Sequence, residues 1–179
     1  MSATTGDLIS RHEYHVELID GREIEKPLPK KLHFFIQRYL VLVLTRLLPP
    51  QLAAGSELNV LTGGRTMDGR GEYVVPDVVV VDLDARYEDG DLAEPPILAV
   101  EILSPGQTIG DMFMRAERLL KLGTPRVWVI WPEKRKAWEY SGLPSSFELK
   151  EMTDVLSMFG MEVEIRLADM WAELDRKKS

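Results

Sequence analysis

The chain has 179 residues, 45% of them hydrophobic and 28% charged, which is the composition of one ordinary globular domain with a sizeable core. It contains no cysteine, so disulfides and thiolate metal sites are excluded, and any metal would be held by carboxylate, imidazole, carbonyl or water. A formal net charge of −7 argues against a sequence-independent nucleic-acid binder of the strongly basic kind, although a total charge leaves local patches open.

The N-terminus, Met-Ser-Ala-Thr-Thr-Gly-Asp-Leu, lacks the basic region and apolar core of a secretory signal, so the expected compartment is the cytoplasm. Leu32, Phe35, Ile36, Tyr39, Leu40, Val43, Leu44 and Leu47 recur at three- and four-residue spacing and predict a helix over Lys30 to Leu48. Gln37, Arg38 and Arg46 within it, and Pro49-Pro50 at its end, identify a core helix and no membrane span. Phe34, Val41 and Leu42 widen its apolar stripe so far that a second copy of the chain, a homodimer, is an expected partner. Glu57 to Leu61 is expected as a strand, with Gly63-Gly64 and Asp68 to Gly71 as turns or a loop.

Val75 to Val81 and Ile97 to Leu103 are short, strongly apolar runs that read as buried strands, joined by an acidic connection. Each carries one carboxylate, Asp77 in the first and Glu101 in the second. Removing an ionised side chain from water requires a partner, a proton or a metal. For Asp77 alone, a hydrogen bond to a loop amide would suffice. Glu101 has apolar neighbours on both strand faces, and its simplest structural partner is Arg115 or His33 in a buried ion pair. Two carboxylates at neighbouring strand ends also suit magnesium, which takes one or two protein carboxylates and completes its shell with water and phosphate oxygens.

Ser104-Pro105-Gly106 ends the second strand, and Ile109, Met112, Phe113, Ala116, Leu119 and Leu120 outline an amphipathic helix closing near Gly123. Strands are expected at Arg126 to Trp131, Lys136 to Tyr140, Ser146 to Met152 and Glu162 to Leu167, then a short helix from Ala168 to Leu174 and a basic tail. The order predicts an α/β or α+β domain with a mixed sheet. A right-handed crossover through the Ile109 helix makes the Glu101 and Arg126 strands parallel neighbours. Lys26, Lys30 and Lys31, and the run Lys134 to Lys136, could line a nucleic-acid path, but such runs are usually solvated faces. His12 and His15 have no spacing that compels a metal site.

Pro-Asp-Val-Val-Val-Val-Asp, then Ala-Val-Glu-Ile-Leu-Ser-Pro, an acidic residue before a helix, and Gly-Thr-Pro-Arg-Val-Trp-Val-Ile together resemble the Uma-type family of bacterial restriction-endonuclease-like proteins, within the PD-(D/E)XK nuclease superfamily. Glu17-Leu-Ile-Asp-Gly21, His33 and the closing Ile165 to Trp171 segment extend the resemblance over nearly the whole chain. It implies a restriction-endonuclease-like fold, a central mixed sheet flanked by helices, over residues 1–179. It also implies a Mg2+ (or Mn2+) dependent endonuclease acting on DNA, with RNA left open. Asp77 and Glu101 would bind the metal with the Ile102 carbonyl, Glu17 would assist, and Arg115 would stabilise the phosphate.

Three positions depart from that pattern, one of them Trp131, where the family tends to carry an acidic residue. The lysine of Glu-X-Lys falls at Leu103, and the lysine expected four residues after Asp111 is Arg115. Arginine can clamp a phosphate but stays protonated, so it cannot serve as a general base. Asp111 and Arg115 could equally form a helix ion pair at i,i+4 spacing. The alternative function is therefore a catalytically impaired nuclease fold that serves as a nucleic-acid- or protein-binding module.

Overall fold

The computed structural model describes residues 14–27, 29–67, 69–142, 146–158 and 160–176. His12 and the tail residues Lys177 and Lys178 lie outside the described residues. Strands β1 (Tyr14–Ile19) and β2 (Arg22–Pro27) form a hairpin. Its turn uses Asp20 and Gly21 at φ of 49° and 70°, the left-handed geometry that a two-residue hairpin loop needs. Helix α1 (Lys31–Leu47) follows, one residue shorter at each end than its apolar pattern predicts.

Next come β3 (Leu52–Ser56), β4 (Val60–Arg65) and β5 (Gly71–Val74). This stretch differs from the sequence expectation. The strand expected at Glu57 to Leu61 starts only at Val60, as β4, because Glu57 turns the backbone to a φ of 56°. Gly63 and Gly64 belong to β4, which pairs with β5 across an irregular register between Leu61 and Arg65. The glycines mark the distorted strand rather than its end.

Strand β6 (Val78–Asp82), the short β7 (Tyr87–Glu88) and β8 (Asp91–Leu92), and β9 (Leu98–Ile102) lead into helix α2 (Ile109–Leu122). Helix α2 begins with a capping box between Thr108 and Asp111 and ends on Gly123 at a φ of 106°, where a residue with a Cβ would be strained. The chain closes with β10 (Arg126–Trp131), β11 (Lys136–Ser141), β12 (Ser146–Lys150), β13 (Val155–Ser157), β14 (Glu164–Arg166) and α3 (Leu167–Arg176).

The fold is mixed α+β. The central sheet runs β12-β11-β10-β9-β6-β3, and a second sheet runs β2-β1-β5-β4-β8-β7. Only β9 and β10 are parallel in the central sheet, as the α2 crossover requires. One face buries Val78, Val80, Leu98, Val100, Ile102, Trp128 and Ile130 against α1 and α3, through Ile36, Leu40, Leu44 and Trp171. The other buries Val79, Val81, Ala99, Leu103, Val127 and Val129 against α2 and the second sheet. Val163, Ile165 and Leu167 point inward as their alternation predicts, although Leu167 already opens α3. No helix among the described residues is long and apolar enough to cross a membrane.

Candidate active site

Glu101 faces the α2 side, on the side-chain parity of Ala99 and Leu103, whereas Asp77 sits just before β6, which starts at Val78 rather than at Val75 as expected. Strands β6 and β9 are antiparallel in the register Val78↔Val100, which brings Asp77 beside Glu101 at the strand end. Asp77 is stitched to β9 through the backbone: its N–H donates to the Val100 carbonyl at 3.0 Å, and its Oδ2 accepts from the Ile102 N–H at 2.6 Å. Each carboxylate residue is only 1% exposed. Like charges at neighbouring positions repel, so the surroundings must supply cations.

Two other elements supply them. On the β1–β2 hairpin Glu17 lies opposite Ile24 and His15 opposite Lys26, so Glu17, Ile19, Ile24 and Lys26 share the face that looks onto α2. Lys26 Nζ reaches in to Asp77 Oδ1 at 2.6 Å and the Val75 carbonyl at 2.7 Å, and stands 3.8 Å from Glu101 Oε2. Arg115, on the inward face of α2, covers both oxygens of Glu101, from Nε to Oε2 at 2.9 Å and from an Nη to Oε1 at 3.0 Å. The same guanidinium pairs with both oxygens of Glu17, in a close contact to Oε2 and at 2.7 Å to Oε1. Glu17 Oε1 also accepts the Val75 N–H at 2.7 Å. From α1, His33 Nε2 lies 3.2 Å from Asp77 Oδ1 while its Nδ1 meets the Ser104 hydroxyl at 2.7 Å, and Gln37 donates to the Asp77 carbonyl at 2.9 Å.

Asp77, Glu101, Glu17 and Arg115 are thus brought together in one buried cluster. Glu101 has the Arg115 partner proposed for it, whereas His33 serves Asp77. Ile102 also adjoins the carboxylates, held through its amide. Asp111 is corrected: it does not pair with Arg115. Its Oδ2 accepts from the Thr108 N–H at 2.9 Å and hydroxyl at 2.7 Å, because an acid at the third helical position closes on the cap residue, and Arg115 is drawn to the buried acids. Thr-x-x-Asp was the available signal. Leu103, at the motif's lysine position, is buried in the core beside α2. Sequence reasoning placed Lys26 among surface lysines, and no local pattern marks it: its partners are Val75, Asp77 and Glu101, far along the chain.

The electrostatics separate the two central acids. Burial pushes the Asp77 carboxyl up, but Lys26 and His33 outweigh it and hold the group well below the usual carboxylate range. For Glu101 burial prevails over Arg115 and Lys26, and nearby Asp77 adds to the upward shift. Burial also raises Glu17, yet the Arg115 contacts bring it below its ordinary value. Lys26 and Arg115, disfavoured by burial, are held charged by the acids around them. Environments that push neighbouring acids apart are a recurrent feature of catalytic sites.

The outer members of the cluster border a groove of about 490 Å³, between the β1–β2 hairpin and the start of α2, and Asp77 and Glu101 do not line it. Glu17, Lys26 and Arg115 line it, with Arg118 alongside and Ile24, Pro105 and Met114 as apolar walls. In chemical type, the acids suit a hard divalent cation. In arrangement, every oxygen of Asp77 and Glu101 already has an internal donor. Among the described residues no three His, Cys, Asp or Glu side chains are grouped to hold an ion.

The profile of the Uma2 family, described as "Putative restriction endonuclease", matches residues 6–166. The chain belongs to that family. Among solved structures it is similar to the crystal structure of "a putative nuclease belonging to DUF820" from Anabaena variabilis ATCC 29413. The two share 27% identity over 90% of this chain and 92% of that one, with a TM-score of 0.75. No curated protein matches the chain. The Uma2 assignment and the nuclease-like fold agree with the resemblance carried by the Asp77 and Glu101 motifs.

Proposed function

We propose that this Uma2-family chain is a metal-dependent endonuclease that hydrolyses DNA phosphodiester bonds. One observation carries the reading: three buried carboxylates, Glu17, Asp77 and Glu101, converge with Arg115 and Lys26, and Glu17, Lys26 and Arg115 line an open groove in front of Asp77 and Glu101. A core gains nothing in packing from collecting like charges, and a site for phosphate chemistry needs such a collection. Asp77 and Glu101, with the Ile102 carbonyl, are the residues that would hold Mg2+ or Mn2+. The ion would neutralise charge on the phosphoryl oxygens and lower the pKa of a bound water. Arg115 presents a fixed, always-charged fork that can pass from Glu17 to a phosphate oxygen, and Glu17 holds it ready. His33 and the Ile102 amide keep Asp77 oriented.

The test is cleavage of supercoiled DNA, single-stranded DNA and RNA by purified protein with Mg2+, Mn2+ or chelator, beside Asp77→Asn and Glu101→Gln. Metal-dependent DNA cutting that falls by about a hundredfold or more in both variants is the expected outcome. A specific observation favours a second reading, a binding module on a nuclease fold: Leu103 is buried where the motif has lysine, and the acids are internally satisfied. No cutting with any metal, while both variants stay folded, would select it.

A further inference from the structure

Lys26 approaches both central carboxylates. Its ammonium stands between the two central carboxylates, 2.6 Å from Asp77 Oδ1 and 3.8 Å from Glu101 Oε2, and an ion shared by those oxygens needs the same space. The side chain is only 8% exposed and is fixed by a third contact, to the Val75 carbonyl. It arrives on β2, the outermost strand of the second sheet, which is hydrogen-bonded to β1 alone. Lys26 can therefore be withdrawn without breaking the central sheet that carries Asp77 and Glu101.

We propose that Lys26 is a built-in counter-cation that closes the Asp77–Glu101 pair against divalent ions, so that its ammonium must leave Asp77 Oδ1 before one can load. The inference rests on the metal-dependent reading of this site. A magnesium-sized ion sits about 2.1 Å from each ligating oxygen, and a second cation on the same oxygen is opposed both by volume and by like charge. The apparent affinity is then the intrinsic affinity multiplied by the fraction of molecules in which Lys26 has moved away. Arg115 covers both Glu101 oxygens and opposes an ion there in the same way, but it leaves Asp77 untouched, so Lys26 is the cation that closes the Asp77 side. The β1–β2 hairpin becomes the gate: whatever draws Lys26 outward, a phosphate in the groove included, favours loading.

The experiment is calorimetric titration of Mn2+ into chelator-treated wild type, Lys26→Met and Lys26→Gln, with melting curves in chelator and in Mn2+. Methionine keeps the length without the charge, and glutamine keeps a neutral donor toward Asp77 should methionine fail to fold. The expected result is Mn2+ affinity at least about tenfold tighter in both variants, together with a lower melting temperature in chelator and a larger rise on adding Mn2+. Asp77→Asn added to Lys26→Met should abolish the binding. Equal or weaker affinity in the Lys26 variants, with wild-type binding that Asp77→Asn removes, overturns the competition and leaves the nuclease reading standing. No Mn2+ binding by wild type or either variant, all folded, overturns both.

Discussion

Two buried acidic clusters of this molecule can be set side by side. Glu139, on β11, is 4% exposed. It accepts the Ser157 N–H in a close contact and meets Arg126 at 3.4 Å and Lys150 at 3.5 Å. One acid there is shared by two cations at the rim of the central sheet, and the contacts pin the β13 segment to β11. In the other cluster three acids share two cations and a histidine. Adding acids in a low-dielectric site costs free energy unless something further binds, so the second arrangement is the one that calls for a ligand. Burial alone does not distinguish a structural carboxylate from a functional one; the balance of charge around it does.

The largest test of this contrast is Arg115→Met. It leaves Glu17 and Glu101 buried and facing each other without their shared partner, and should destabilise the protein by about 3–5 kcal/mol in denaturant unfolding. Adding Glu17→Gln should return part of that loss, because it removes one of the stranded charges. An additive double variant would show that the two residues do not act as a unit.

Glu139→Gln should cost less, about 1–2 kcal/mol by the same measurement. The amide oxygen can still accept the Ser157 N–H, while Arg126 and Lys150, partly exposed, can turn to water. A loss equal to that of Arg115→Met would erase the distinction between the clusters. The smallest effect belongs to the exposed Arg86–Glu88 pair, where Glu88→Ala, which leaves the Arg86 contact with the Ala93 carbonyl in place, should shift stability by about 0.5 kcal/mol or less. A larger shift there would mean that ion pairs in this protein are not ranked by burial.

The parts of the fold legible in the sequence are those specified by contiguous residues. Helix α2 ends at Ile109 and Leu122 as its apolar spacing and Gly123 indicate, and β9 and β10 are apolar apart from Glu101 and the leading Arg126, with no solvated face. Strand β3 was missed because Leu-Ala-Ala-Gly-Ser has little β-branched character; its pairing with β6 makes it a strand. The β1–β2 hairpin was missed because Arg-Glu-Ile-Glu-Lys carries charge on every residue but one, and on an edge strand that pattern is tolerated.

By itself, the sequence determined the Asp77 and Glu101 strands, the crossover that makes β9 and β10 parallel, and the family, since each is written in local residue order and spacing. Only the tertiary structure decided that Arg115 serves Glu17 and Glu101 rather than Asp111, and that Lys26 reaches Asp77 and Glu101. Charged side chains are long, and their Coulomb partners are chosen by distance and dielectric in the folded state. Two cations carried on α2 and β2 could be assigned to three acids on other elements only once folding had excluded the water that would otherwise screen them.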